Sequence, residues 1–540
     1  MALSSQPARV PHYFSYIASG FHTPASLASY IVNGAQHGFS CHFHSRLPRG
    51  VHYTPNYGSS RRDATAVSTA LLTRLREGKT LGPLPWDGSL PPPLHTLCVN
   101  PLGSVRYKLE PDRARPIDDP FVNDVLYAPY FPMPAFALVR TFSTPGCWYA
   151  TQDVRGAFPC LPLHPSMWPF FALAWFDLNF PHSAQPSPSP PSASSRPPHS
   201  RFLYIHTHGL FGPRDIPYIW TMYMLFVTLA SVHLGIALTC PYLDDVTHIH
   251  DYRSEVEWAM ERYSTLLDSF GTPDKLLKRV GPFQRGEILG REFNSRTFTV
   301  AVPMDKMRRI RLQFRRLARC RSPLAHALRS TMGLAAFVAT VLPPIFGVFL
   351  APLLDALHSV PSRACWGLRV RLSRHARSAA ATLAIILPLI NRRVPIQPDL
   401  VLPLAPCTYT DASGGRMAGW GYATSTTFQA ARFTCALRRC HINLLELAVV
   451  LYACRALATV WAGCRVPLRI DNTVVIGWLH RSRARSELAN AMLHEIFALS
   501  LTHSFHLRPT YITSADNVMA DALSRSDFAR FYSAYLSHTW

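Results

Sequence analysis

Two adjacent carboxylates, Asp244 and Asp245, stand between apolar runs in SVHLGIALTCPYLDDVTHIH. Apolar runs on either side of a short polar pair predict a β-hairpin with the acids at its turn. Neighbouring acids at a buried hairpin tip repel each other, and a divalent metal removes that cost. An Asp-Asp turn on a protein surface is common, so the pair gains meaning only from acids elsewhere in the chain. One such acid is Asp153, 91 residues before Asp244. It ends the strand expected in CWYATQDVRGAF, and Phe158 follows it by five positions.

These carboxylates would supply the ligands of a two-Mg²⁺ (or Mn²⁺) phosphoryl-transfer site, with one ion at a primer 3′-hydroxyl and the other at a triphosphate. Phe158 would lie beneath the sugar of the incoming nucleotide. A ring there leaves no room for a 2′-hydroxyl and selects dNTPs over rNTPs.

The rest of the composition agrees with a polyanionic partner. The 540 residues carry 54 Lys+Arg against 32 Asp+Glu, a formal net charge of +22. That excess points to nucleic acid first and an anionic membrane surface second. Hydrophobic residues make up 48 %, which excludes wholesale disorder, and the length suits three to four domains. The twelve Cys contain no C-x-x-C pair, so a zinc knuckle is not expected and a reducing, intracellular compartment (cytoplasmic and/or nuclear) is. The N-terminus shows no basic segment followed by an apolar core, hence no signal peptide. The apolar run Gly333 to Leu354 is long enough to span a bilayer, but Pro343, Pro344 and Pro352 favour a buried helical hairpin and no membrane partner.

Local patterns divide the chain. Residues 1–59 read as an irregular lead-in with a helix around Ala25 to Val32. A helix is expected over Ala64 to Glu77 and a strand over Ser104 to Lys108, within a mixed α/β region reaching residue 303. Residues 181–201 interrupt it: fourteen of these 21 are Pro or Ser, which forms no core and reads as a disordered surface insertion. Lys306 to Arg329 holds nine Lys/Arg and no acid, with Met307, Ile310, Leu317 and Leu324 at roughly helical spacing. It reads as a basic amphipathic helix opening a helical region, 304–404. The last unit, 405–540, has strand-turn-strand over Thr408 to Ala423 and a helix over Asn443 to Ala462. A strand ending near Asp471, further helices and a strand at Pro509 to Ile512 follow.

Asp153-x4-Phe158, Phe211-Gly212-x4-Pro217-Tyr218 and Tyr242-Leu-Asp-Asp245, in this order, resemble motifs A, B and C of reverse transcriptases. Leu289-Gly290 in EILGREF resembles the turn after the palm's lysine motif, with Lys275 or Lys278 as that lysine. Lys108 and Arg115 match the paired bases of the fingers hairpin, which the family uses to grip the triphosphate. GPLPWDGSLPPPLHTLCVNPLGSV and FVND (Phe121 to Asp124) resemble the fingers of DIRS-like retrotransposons or their short trypanosomatid relatives. Motif B departs from the family, reading Leu210-Phe211-Gly212-Pro213-Arg214-Asp215, and so do Pro159 and Cys160 after the motif A Phe.

In the last unit Asp411 (TYTDASGG), Glu446 (INLLELAVV), Asp471 (LRIDNTVV) and Asp521 (NVMADALSR) resemble the Asp-Glu-Asp-Asp set of ribonuclease H. Four converging carboxylates are costly unless two Mg²⁺ ions bind them. The resemblance implies a right-hand polymerase palm and fingers, a helical thumb and a ribonuclease H-like α/β domain. It implies an enzyme acting on an RNA template, a DNA primer, dNTPs and the RNA–DNA hybrid, with recombinase or integrase and capsid proteins on separate chains. A decayed or co-opted copy that only binds nucleic acid is the rival expectation, and the seven acids argue against it.

Overall fold

The computed structural model describes residues 24–43, 49–92, 94–106, 114–118, 123, 125–127, 135–175, 201–236, 238–341, 346–360, 367–391, 394–397, 402–484 and 486–538. Lys108, most of FVND and residues 181–200 lie outside them. The chain forms two compact units. The first holds the described residues up to Ser143 with Cys147–Phe283, and the second holds Thr144–Gly146 with Gln284 onward.

The first unit contains two larger sheets. One runs in the order Gly50–Tyr53, Thr96–Asn100, Ala172–Trp175, Arg201–His206, Thr80–Trp86. Its cores are Leu97, Val99 and Leu203 on one face, and Val67, Leu71 and Tyr204 on the other. The helix expected around Ala25 to Val32 runs over Pro24–His37 and packs on Ile216–His233. Where the rest of the lead-in reads as irregular, Gly50–Tyr53 pairs in parallel with Thr96–Asn100, a partner far along the chain that local periodicity does not reveal. Leu102–Arg106 and Ala114–Asp118 form a separate two-stranded ribbon, with Arg115 opposite Val105.

The other sheet has the order Val280–Phe283, Trp148–Asp153, Asp245–His250, Leu238–Tyr242. Two helices accompany it, Ile216–His233 and Arg253–Ser269. Ile216–His233 is apolar nearly all round and mostly buried, as a core helix is. Among the described residues it alone is long and apolar enough to cross a membrane. The Gly333 to Leu354 run instead falls in two shorter helices, Ala325–Ala339 and Phe346–His358.

The second unit begins with a small sheet, Arg285–Ile288, Arg291–Asn294, Thr299–Ala301 and Val394–Pro395. The expected basic helix is two helices: Met304–Arg319 ends at Cys320, and Ala325–Ala339 starts after Pro323. Proline disfavours helical backbone in the residue before it, so the break falls there. Met307, Ile310, Phe314 and Leu317 are buried against Arg374–Ile390, while Arg308, Arg309, Arg315, Arg316 and Arg319 face solvent. The last sheet has the order Phe428–Arg432, Gly419–Ala423, Thr408–Ala412, Arg465–Ile470, His506–Tyr511; the first three strands are antiparallel and the last two join in parallel. Ile442–Leu457 and Val518–Ser524 pack on it.

Candidate functional site: two acidic centres

Asp153 ends its strand directly opposite Asp245 in the antiparallel register, and Asp245 opens a strand whose hairpin partner is Tyr242. Leu243 and Asp244 form the two-residue turn between them. Leu243 has φ 52°, a left-handed conformation that costs a leucine about 1 kcal/mol. Its carbonyl accepts from the Trp220 indole N–H at 2.9 Å, and the Asp244 carbonyl accepts from Val154 N–H at 2.8 Å. The turn is therefore held from the buried helix on one side and from the Asp153 strand on the other.

Loss of surrounding water on the protein side of Asp245, then the Asp244 and Asp153 charges, lift the Asp245 carboxyl to about 6. The two Asp153 oxygens receive the ammonium groups of Lys275 and of Lys278, the latter at 2.7 Å. Both lysines sit on a loop strapped to the Asp153 strand by Lys275 N–H to Asp153 O and Arg155 N–H to Pro273 O. Hydrogen bonding to Asp153 raises the Lys278 pKa. Of the two lysines the sequence leaves open, the structure thus brings both to the same carboxylate.

Phe158 opens a short 3₁₀ turn and is buried, with its ring 4.9 Å from Phe211 and 6.5 Å from Trp220. Gly212 has φ 144°, which L side chains rarely adopt, and it precedes the buried Asp215 at the start of Ile216–His233. Leu289 (φ 49°) and Gly290 (φ 75°) form the turn between two strands of the second unit.

The second centre is tighter. Asp411 lies in the central strand, Glu446 in Ile442–Leu457, and Asp471 just after Arg465–Ile470. One carboxylate oxygen from each lies within 4.8 Å of the others, and among the described residues no other such acid, His or Cys group occurs. Asn472 fixes the strand end: its side chain accepts from Val474 and Val475 N–H and donates to Asn443 on the Glu446 helix. Burial first, then the neighbouring acids, push Glu446 up to about 9 and Asp411 to about 7. The buried Glu446 Oε2 has no hydrogen-bond partner. An orphaned carboxylate oxygen facing two further acids fits a divalent cation, which removes both the repulsion and the unmet acceptor.

Asp521 is not in this cluster. Arg525 holds one of its oxygens at 2.7 Å and Arg530 the other at 2.8 Å. Arg525 stands four residues on, a helical spacing legible in ADALSR; Arg530 comes from the next helix and gave no local signal. Ser514, also missed, donates its hydroxyl to Asp471 at 2.8 Å.

An antiparallel sheet with a carboxylate-bearing hairpin, followed by a five-stranded 3-2-1-4-5 sheet carrying clustered acids, defines a reverse transcriptase and ribonuclease H-like fold. Among solved structures, the chain is similar to a foamy viral protease-reverse transcriptase dRH in complex with double-stranded DNA. That match has TM-score 0.50 and 12% identity over 94% of this chain and 82% of that one. It is also similar to the foamy viral protease-reverse transcriptase with RNA/DNA hybrid (TM-score 0.49, 10%, 94% of this chain and 63% of that one). With dsDNA the values are TM-score 0.47, 13%, 94% and 97%. No protein-family model and no curated protein matches the chain.

Proposed function

We propose that the chain is an RNA-directed DNA polymerase with ribonuclease H activity, from a DIRS-like retrotransposon of the tyrosine-recombinase group or a trypanosomatid relative. The observation that carries this reading is the register that sets Asp153 across from Asp245 beside Asp244. The clustered Asp411, Glu446 and Asp471 support the second activity. In this reading fingers and palm span 60–303, thumb and connection 304–404, and ribonuclease H 405–540.

Asp153, Asp244 and Asp245 would hold the polymerase Mg²⁺ (or Mn²⁺), and Asp411, Glu446 and Asp471 would hold the nuclease ions; Asp521, whose charge reaches Asp411, would join them on giving up its Arg525 and Arg530 contacts. Bound there, these ions supply Lewis-acid activation of the attacking oxygen and stabilise the leaving one. The chain's own groups do the rest. Lys108 and Arg115 steady the triphosphate, Phe158 gates the sugar, and Tyr242 and Gly212 shape the floor and the template side. Lys275 and Lys278 keep the Asp153 carboxylate compensated and aimed at the hairpin. Template RNA, primer DNA, the hybrid and dNTPs are the partners, inside the cell.

The test is primer extension on an RNA template with dNTPs and Mg²⁺ or Mn²⁺, beside cleavage of a labelled hybrid. Asp244→Asn/Asp245→Asn loses extension by about a hundredfold or more and keeps cleavage; Asp411→Asn does the reverse. Equal extension by wild type and the double variant refutes the assignment. Tight hybrid binding with neither activity favours a non-catalytic binder.

A further inference from the structure

Asn123 of FVND and the Arg214-Asp215 departure in motif B have no part in the roles above, and the structure joins them. The Asn123 side-chain amide donates to Gly212 O at 3.1 Å and its carbonyl accepts from Arg214 N–H at 3.0 Å. One side chain thus pairs with both ends of a three-residue stretch, as a neighbouring strand would. From the other side, Asp215 is fully buried and its Oδ2 accepts from His42 N–H at 3.0 Å. His42 O accepts from Tyr127 N–H at 2.7 Å, and Phe43 bridges Leu126. Residues 42–43, 123 and 126–127 therefore bracket the loop from Gly209 to Asp215.

What the bracket holds in place is aromatic. Phe211, inside the loop, lies 4.9 Å from the Phe158 ring. Gly209 presses on the Phe158 main chain so closely that a Cβ there would meet its carbonyl oxygen at 2.5 Å. Gly212, at φ 144°, has a backbone shape that its own side chain does nothing to restrict. External hydrogen bonds must fix it, and Asn123 supplies two, one at the Gly212 carbonyl and one two residues on at Arg214 N–H.

We infer that Asn123 is a positioning residue for sugar selection: through Gly212 and Arg214 it sets Phe211, which sets the Phe158 ring. This rests on the polymerase reading above. Asparagine suits the task because its amide offers one donor and one acceptor at the reach of a peptide group. Aspartate keeps the acceptor for Arg214 but has no donor for Gly212; alanine keeps neither.

The experiment is single-nucleotide extension on an RNA template by the full chain, with each dNTP and the matching rNTP, for wild type, Asn123→Asp and Asn123→Ala. In Asn123→Ala the KM for dNTP rises and the preference for dNTP over rNTP falls, each by about tenfold, the worth of one or two neutral hydrogen bonds. Asn123→Asp falls between, and hybrid cleavage stays at the wild-type rate in both. Unchanged preference in both variants overturns the inference. So does a fall in kcat with KM and preference unmoved, which is what general damage to the fold produces. A wild-type chain that extends no primer overturns the polymerase reading and this inference with it, and so separates the two failures.

Discussion

His248 shows how a single side chain reports on the first unit. It is fully buried, hydrogen-bonded through Nε2 to the Gln152 side-chain Oε1 and edge-on to Tyr263 at 5.2 Å. Burial first, then the Arg279 charge, lower its pKa to about 3, with Asp274 opposing. Above pH about 6.5 the imidazole is neutral in folded and unfolded chains alike, so it adds no pH dependence. Below that, the unfolded chain takes up a proton that the folded one refuses until about pH 3. Stability therefore falls as pH drops through this window, by up to about 1.4 kcal/mol per pH unit. Urea midpoints from pH 7 to 4 show this slope in wild type and a shallower one in His248→Gln; identical slopes assign the acid sensitivity to other groups. The same scale separates what a sequence reveals from what it conceals. Asp153, Asp244, Asp245, Asp411, Glu446 and Asp471 were legible because acids at strand ends and in apolar helices are anomalous. Their companions were not: Ser514 and Arg530 are ordinary polar residues whose meaning comes only from what tertiary folding sets beside them.

At the scale of elements, the helix Val518–Ser524 reaches the acidic sheet by lying on the strand Gly419–Ala423, and glycine permits that approach. A Cβ on Gly421 would meet Leu523 Cβ at 2.3 Å, and one on Gly419 would meet Ser524 O at 2.4 Å. Neither neighbour is a flexible tip, so Gly421→Ala forces helix and strand apart and destabilises the second unit by about 1–3 kcal/mol. Gly414→Ala, whose Cβ meets nothing closer than 3.9 Å, is the comparison. Calorimetry shows a lowered transition for Gly421→Ala only; equal transitions would mean that the helix shifts freely. Elements with a strong local period were legible, such as Ala64–Arg76 and Ile442–Leu457. Phe428–Arg432 was not, because FQAAR lacks alternation and is a strand only through pairing with Gly419–Ala423. The basic stretch looked like one helix because charge and spacing continue past Pro323 while the hydrogen-bond ladder does not.

At the scale of the molecule, a net charge of +22 sets how the chain meets a polyanion. Each phosphate neutralised by Lys or Arg releases a counterion, so log K falls with log salt by about 0.9 per contact on duplex DNA. Arg308, Arg309, Arg315, Arg316 and Arg319 stand on the open face of Met304–Arg319, opposite the buried Met307, Ile310, Phe314 and Leu317. None of the five takes part in the fold's ion pairs among the described residues, so their charge is available to a phosphate backbone. Replacing Arg308, Arg309 and Arg316 with Ala leaves the buried stripe intact and reduces the magnitude of the salt slope by about 2–3. Titration of a labelled duplex across several salt concentrations measures it, and the affinity loss is the same for any base sequence, since phosphates carry no code. An unchanged slope would place the phosphate contacts on other arginines, whereas a slope change that varied with sequence would mean that this helix reads bases.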